Sequence, residues 1–376
     1  MSSSAAEVMT APSSGCLVPP DSCNSEPTIV IPTGTGCDYF ARNTAQRREI
    51  IERLIREQQL VAFAGPYGVG KSPALADIGM HVLNGVAWCG RTAEKRPVIH
   101  IDLETPGPVY KANLRNIAAR LNLSLPKVPP ELDVYLEHDD LTEEGTKKLL
   151  AALAESKPEA RFKFIEEALD EKPDALVIID PLELLFRIDT GKKQHVLWLY
   201  TELRQLLSRY QHAAMLITFN LRKQDRQRPY RPDLLKDPRT WLEEVCGTLD
   251  ILNRSDVRLG MDAAIHDEEV RVINGIRRGE DMQPLVIRSV DTNGMSAITG
   301  DNLAGFELCP PNTSNLKAVF TPKQLEYWNK LPPTFRFKDV ADKSVPRASL
   351  QRLLDHAKSL GIIEKDGNDN WQKKAN

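Results

Sequence analysis

Cysteines at metal-ligand spacing, a leader-like N-terminus, a long apolar run and a strong net charge are all missing from this sequence. The six cysteines, at 16, 23, 37, 89, 246 and 309, are scattered, and three of them fall near the N-terminus. That distribution excludes a zinc-finger pattern and suits a reducing cytoplasm. No basic segment followed by an apolar stretch opens the chain, and nowhere do about 18 apolar residues run together, so neither secretion nor membrane spanning is expected. The formal net charge of −3 supplies no global basic field, so contact with nucleic acid has to come from local patches.

What is present is enough for one large domain and a small one: 376 residues, 41% of them hydrophobic. Residues 1–42 are rich in Ser, Pro, Thr and Gly and are expected to form a disordered tail, because they bury too little apolar surface to offset the entropy of ordering. Thr44 to Gln58 reads as an amphipathic helix with Ile50, Ile51, Leu54 and Ile55 on one face. Between an apolar strand, Gln59 to Ala64, and a helical stretch, Ala74 to Leu83, lies Gly65-Pro66-Tyr67-Gly68-Val69-Gly70-Lys71-Ser72. This is a full match to G-x-x-x-x-G-K-[ST] in its required strand–loop–helix context. Glycines let the backbone turn its N–H groups around phosphate oxygens. Lys71 is expected to reach the β- and γ-phosphates of ATP and Ser72 to ligate Mg²⁺, with the positive end of the helix facing the anion.

Further strands supply acids. Pro97 to Leu103 ends at Glu104, where a carboxylate either polarises an attacking water or is simply a solvated strand end. Val109 to Leu121 reads as a helix, Glu131 to Leu136 as a strand, Glu137 to Glu144 as a solvated acidic loop, and Thr146 to Asp170 as a helix broken near Pro158. Ala175 to Asp180 is five apolar residues closed by one aspartate, the Walker B pattern, which places Asp180 to hold Mg²⁺ opposite Ser72. Pro181 follows it, so a catalytic glutamate is not supplied next to Asp180. After the helix His195 to Tyr210, the strand Ala213 to Phe219 ends at Asn220, which either bonds the γ-phosphate or its water, or caps a turn.

Beyond Asn220, residues 222–239 hold seven basic side chains against three acidic ones. Arg222, Lys223, Arg226 and Arg228 in that segment fit a DNA phosphate contact; an ordinary solvated loop is the other reading. Val245 to Asn253 reads as a strand, and Glu269 to Asn274 with Gln283 to Val290 as a hairpin with Arg277 and Arg278 at its tip. Residues 301–317 read as a linker between a domain at 43–300 and a second at 318–376. The latter offers three helices and a small ribbon in winged-helix order. Its third helix carries Arg347 and Arg352 and suits a DNA groove, although such modules also serve as protein adaptors.

Taken together, Gly65 to Ser72, Asn84-Gly85 before Trp88-Cys89-Gly90, Ile101-Asp102-Leu103-Glu104, Ile178-Ile179-Asp180-Pro181-Leu182 and Asn220-Leu221-Arg222-Lys223 make residues 45–295 resemble the RecA-like P-loop ATPases, an AAA-type superfamily, and within them the hexameric replicative helicases of the plasmid RepA type. The resemblance implies an α/β fold with a twisted, mainly parallel sheet flanked by helices, and a homo-oligomeric ring holding ATP between subunits. It also implies Glu104 as catalytic glutamate, Asp180 as the Mg²⁺-linked aspartate, and an arginine inserted from a neighbour, for which Arg277 is the choice and Arg254 the reserve. Three departures stand out. Pro73 lacks the N–H that usually follows the loop and biases Ser72 away from helical geometry. Asn220 replaces the usual His or Gln, and Gly275 falls where related helicases carry a lysine. The expectation is a cytoplasmic Mg²⁺-ATPase acting on single-stranded DNA; a non-motor regulator using ATP for assembly, and a slow or inactive nucleotide-binding scaffold, are the rival readings.

Overall fold

The computed structural model describes residues 47–123, 132–136, 144–155, 157–221, 232–264, 267–277, 280–295, 303–309, 320–342, 345–359, 362–366 and 370–373. The tail at 1–42, the acidic loop beyond Leu136, and Arg222, Lys223, Arg226, Arg228 and Arg278 lie outside them.

The first described elements are a short antiparallel pair, β1 (Glu49–Ile51) and β2 (Ile55–Arg56). A helix is expected here from the spacing of Ile50, Ile51, Leu54 and Ile55, and this is corrected. All four are buried, but by a reversal at Arg53, whose φ is 55°, rather than by one helical face. Adjacent β-branched isoleucines suit extended backbone, and the pairing is closed by Arg56 and Glu49 at 2.8 Å.

The core is a sheet of six parallel strands. They are β3 (Leu60–Gly65), β4 (Val98–Asp102), β5 (Leu132–Leu136), β6 (Leu176–Asp180), β7 (Ala214–Asn220) and β8 (Val257–Ala264). Their order across the sheet is β5-β4-β6-β7-β3-β8. Antiparallel strands β9 (Asp267–Arg277), β11 (Leu285–Ser289) and β12 (Phe306–Leu308) extend it beyond β8, with β10 (Glu280–Asp281) folding back on β9. The central strands are mostly apolar because both faces are covered. Val61 and Phe63 join one buried cluster, and Leu60, Ala62 and Ala64 the other. Helices α1 (Lys71–Asn84) and α2 (Gly107–Arg120) cover the first face. On the second lie α3 (Glu144–Ala154), α4 (Glu159–Glu171), the short α5 (Leu182–Phe186) and α6 (Lys193–Arg209).

Two stretches depart from expectation. Val245 to Asn253 is not a strand: after α7 (Pro238–Leu242) it passes into the short helix α8 (Asp250–Asn253), and the alternating run Val257–Ala264 takes the place beside β3. The stretch 301–317 is not wholly linker either, since β12 within it pairs with β11. Its anchor is Asp77 on α1, which accepts from the Phe306 backbone N–H at 3.0 Å, the Trp88 indole at 2.9 Å and Arg120 at 2.9 Å. A buried carboxylate with three donors ties this strand to the helix that follows the phosphate loop.

The remaining residues form α9 (Pro322–Lys330), β13 (Thr334–Arg336), α10 (Phe337–Val340), α11 (Arg347–Ser359), β14 (Ile363–Lys365) and β15 (Asn370–Lys373). β15 lies between β13 and β14, antiparallel to both. Thr321 and Gln324 close a capping box at the start of α9, with Pro322 in its first turn. Trp328, Phe335, Leu350, Leu353, Leu354, Ile363 and Trp371 fill the space between helices and ribbon. Arg347 and Arg352 lie exposed on α11.

Candidate nucleotide site

Parallel strands end together, and register decides which side chains meet. Gly65 stands opposite Asn220, and Asp102 opposite Asp180. Because β7 is inserted between β3 and β6, Asn220 lies between the phosphate loop and the Walker B aspartate. The loop from Gly65 to Gly70 needs its glycines. A Cβ on Gly65 would meet the Met261 carbonyl at 2.8 Å, and Gly68 and Gly70 have φ of 78° and 101°. Helix α1 starts directly at Lys71, and no side chain caps it, which leaves its first N–H groups directed at the loop. Pro73 sits in that first turn, where a missing N–H costs nothing, and Ser72 is helical despite the proline after it. The expected distortion at Ser72 is therefore absent, because the turn is fixed by Ala74 bonding the Gly70 carbonyl at 3.1 Å.

The Lys71 ammonium is buried and its three protons have three acceptors: Gly65 O at 3.0 Å, Pro66 O at 3.2 Å and Asn220 Oδ1 at 3.0 Å. Burial pulls its pKa down, opposed by the charges of Asp180, Glu104 and Glu183. Asp180 is raised, by burial first and by Asp102 second; bonds from Ser72 and Thr218 act against this. Its Oδ2 has no hydrogen-bond partner among the described residues. Asp102 in turn receives the backbone N–H groups of Glu104 at 3.0 Å and Thr105 at 2.8 Å, which shapes the turn that carries Glu104 out of the sheet. Behind the acids, His100 is wholly buried, bonded to the Tyr110 hydroxyl at 2.6 Å, and held down to about 4 by that burial, so it stands neutral at physiological pH.

Glu104 stands at the open rim of this edge, its carboxyl partly withdrawn from water; burial and then Asp180 raise its pKa, while Lys71 and a bond from Asn220 lower it. A third acid, Glu183 in the first turn of α5, stands at the same edge without any motif to mark it. Burial and then Glu104 raise its pKa, while its own backbone N–H, Asn220 and Lys71 act to lower it. Only the rule of looking directly beside Asp180 hid it: Pro181 turns the chain, and the acid arrives one helical turn later.

The set is therefore an uncapped helix start, a buried ammonium, a hydroxyl, an amide and three carboxylates at the end of one sheet. The family model described as AAA domain matches residues 32–226, more than half of the chain. The chain belongs to the AAA domain family. It is a P-loop ATPase, and the matched span contains Gly65 to Ser72, Glu104, Asp180, Glu183 and Asn220. No curated protein matches it.

In this AAA ATPase the two arginines weighed as insertions into a neighbour's site both lie at the opposite edge of the sheet. Arg277 pairs in register with Val257, at the start of β8, and is 7% exposed, 4.0 Å from Glu49 of its own chain. Arg254 is exposed just before the same strand. Gly275 has no room for a side chain, because a Cβ there would lie 2.1 Å from the Arg258 carbonyl. Among the described residues no group of three or more His, Cys, Asp or Glu side chains is placed to hold a metal ion, and no helix is long and apolar enough to cross a membrane.

Proposed function

We propose that this AAA ATPase is a Mg²⁺-dependent, oligomeric motor acting on single-stranded DNA, of the replicative-helicase type carried by plasmids or other mobile elements. The observation that carries the reading is the convergence of Lys71, Ser72, Asp180, Glu104 and Asn220 at one sheet edge. The donor set suits Mg²⁺: hard oxygen ligands from Ser72 and Asp180, the latter with a buried oxygen that has no partner among the described residues. Held by Ser72 and Asp180, such an ion would offset negative charge on the triphosphate. The residues do the rest. Lys71 and the α1 N–H groups hold the phosphates, Asn220 contacts the γ-phosphate or its water, and Glu104 orients that water and takes its proton.

For DNA, support comes from Arg347 and Arg352 exposed on α11 of a unit ordered helix–strand–helix–helix–strand–strand, the order of a winged helix. Arg254, being exposed, is the better cation for a neighbouring copy to use; Arg277 is engaged within its own chain. That engagement also favours a second reading, a regulator in which ATP drives assembly and the C-terminal unit binds DNA.

ATPase rates with and without single-stranded DNA separate the two. The motor predicts strong stimulation that disappears in Glu104→Gln, with a loss of about 10²–10⁴ in rate. Equal rates with and without DNA point to the regulator, and absence of turnover in the wild-type chain defeats both.

A further inference from the structure

The phosphate loop is braced from outside by side chains that lie beyond residue 226, where the family match stops. The ring of Phe306 on β12 and the tip of Met261 on β8 stand 3.4 and 3.8 Å from the point that a Cβ on Gly70 would occupy. A polar brace joins them. The Nε–H of Arg271, on β9, donates to the Val69 carbonyl at 2.9 Å, across 202 residues of chain.

Arg271 is itself firmly held. Its backbone lies between Ala263 of β8 and Ile287 of β11, and its Nη1 donates to the Val270 carbonyl at 3.2 Å. Val270 and Val272, on either side of it in the strand, belong to the buried cluster on the far face, whereas Ile287 opposite belongs to the cluster beneath α1. Arg271 therefore rises on the face that carries α1, at a position where an apolar residue would pack. An arginine with no role beyond solubility extends its guanidinium into water. This one is half-buried and aims the donor nearest its stem at a loop carbonyl.

The bonded carbonyl belongs to the Val69–Gly70 peptide. In a trans peptide the C=O and the following N–H point to opposite sides, so fixing the carbonyl on Arg271 sends the Gly70 N–H away from β9. Gly70 has a φ of 101°, and glycine takes either sign of φ, so this plane could turn over at little steric cost. We infer that Arg271 is a positioning residue of the nucleotide site: it locks the Val69–Gly70 peptide with its N–H toward the concave side of the loop, so that the phosphate cradle is formed before nucleotide arrives. The inference rests on the P-loop ATPase assignment and holds for the motor and the regulator alike.

Arg271→Met keeps the apolar stem and removes the donors. The expected result is a rise of about tenfold in both the Kd of a fluorescent ADP analogue with Mg²⁺ and the KM for ATP, as the competent plane falls to about a tenth of the population. At saturating ATP kcat stays within about threefold, because ground state and transition state lose the same contact. Arg271→Gln places an amide nitrogen as many bonds from the backbone as Nε, without the charge, and recovers most of the affinity. Three results overturn the inference. Arg271→Met that melts and binds ADP as the wild type does shows a bystander. A loss confined to ATP, with a fall in kcat, shows direct contact with the γ-phosphate. Arg271→Gln as weak as Arg271→Met shows that charge, not the bond to Val69, is what matters. Should Arg271→Met not fold, the wild type alone decides: the Arg271 Nε–H resonance exchanges slowly with water in the nucleotide-free protein, and exchange as fast as that of an exposed arginine overturns the inference. ADP binding needs no turnover, so a wild-type chain that hydrolyses no ATP removes the motor and the regulator and leaves this comparison standing.

Discussion

The two edges of the central sheet are built on opposite electrostatic plans. At the edge where the parallel strands begin, buried charges are matched. Arg96 bonds Glu57 at 2.7 Å and Glu94 at 2.8 Å, Glu57 also takes Arg48 and His212, each at 3.1 Å, and Arg204 meets Asp256 at 2.6 Å. Burial works against Glu57 as against any carboxylate, yet its bonds to Arg96, the Arg48 backbone N–H and His212 overcome this and leave its pKa below the ordinary value. Burial likewise works against Arg96, and Glu57 and Glu94 more than compensate. At the edge where the strands end, one ammonium faces three acids, and Lys71 is shifted down while Glu104, Asp180 and Glu183 are shifted up. The first edge holds the fold together; the second is kept away from its own electrostatic optimum, as sites that bind and transform charge are.

The contrast is sharpest in two substitutions. Asp180→Asn removes a charge from the crowded edge and is expected to cut ATP turnover by about 10²–10³ while leaving the denaturant midpoint equal or higher. Steady-state hydrolysis and urea unfolding on the same preparation check it, and a large loss of stability would show the acids to be structural. Arg96→Met at the other edge takes from Glu57, 7% exposed as a side chain, its buried cation and leaves it only the exposed Arg48 and His212. It should destabilise by about 3–5 kcal/mol, with nucleotide affinity unchanged in the fraction that remains folded. Equal stability there would mean that the matched edge is not what holds the sheet.

A smaller effect follows from pH. An acid raised in the folded state costs stability above its folded pKa, and that cost is relieved as pH falls through the raised value toward the ordinary 4.5 of a glutamate. Glu57, lowered in the folded state, works the other way: its contribution is present above the ordinary value and is lost as pH falls through the lowered one. Comparing unfolding of the wild type with a Glu104→Gln/Glu183→Gln double variant should show the variant more stable near neutrality, the gap closing toward pH 4.5. A gap independent of pH would show that charge is not its cause.

Much of this was legible in the residues. The phosphate loop, the strand ending in Asp180, the strand leading to Glu104 and the one ending at Asn220 each follow from an apolar run closed by one polar residue. The helical face over 44–58 was not, because the spacing of four apolar residues fits a helix and a tight reversal alike. Glu183 was missed because adjacency along the chain stood in for adjacency in space. The place of 306–308 in the sheet was hidden in a Gly- and Pro-rich stretch, since its anchor, Asp77, lies more than 200 residues earlier.

By itself, then, the sequence determined five of the parallel strands and the loop that carries the phosphate-binding pattern, because local pattern, glycine geometry and the G-x-x-x-x-G-K-S spacing act over a few residues. Only the tertiary structure decided which acids gather around Lys71, that Arg277 is engaged within its own chain, and that Gly275 can be nothing larger. Strand order and register bring those groups together from distant parts of the chain, and a Coulomb interaction or a steric overlap is set by distance in space.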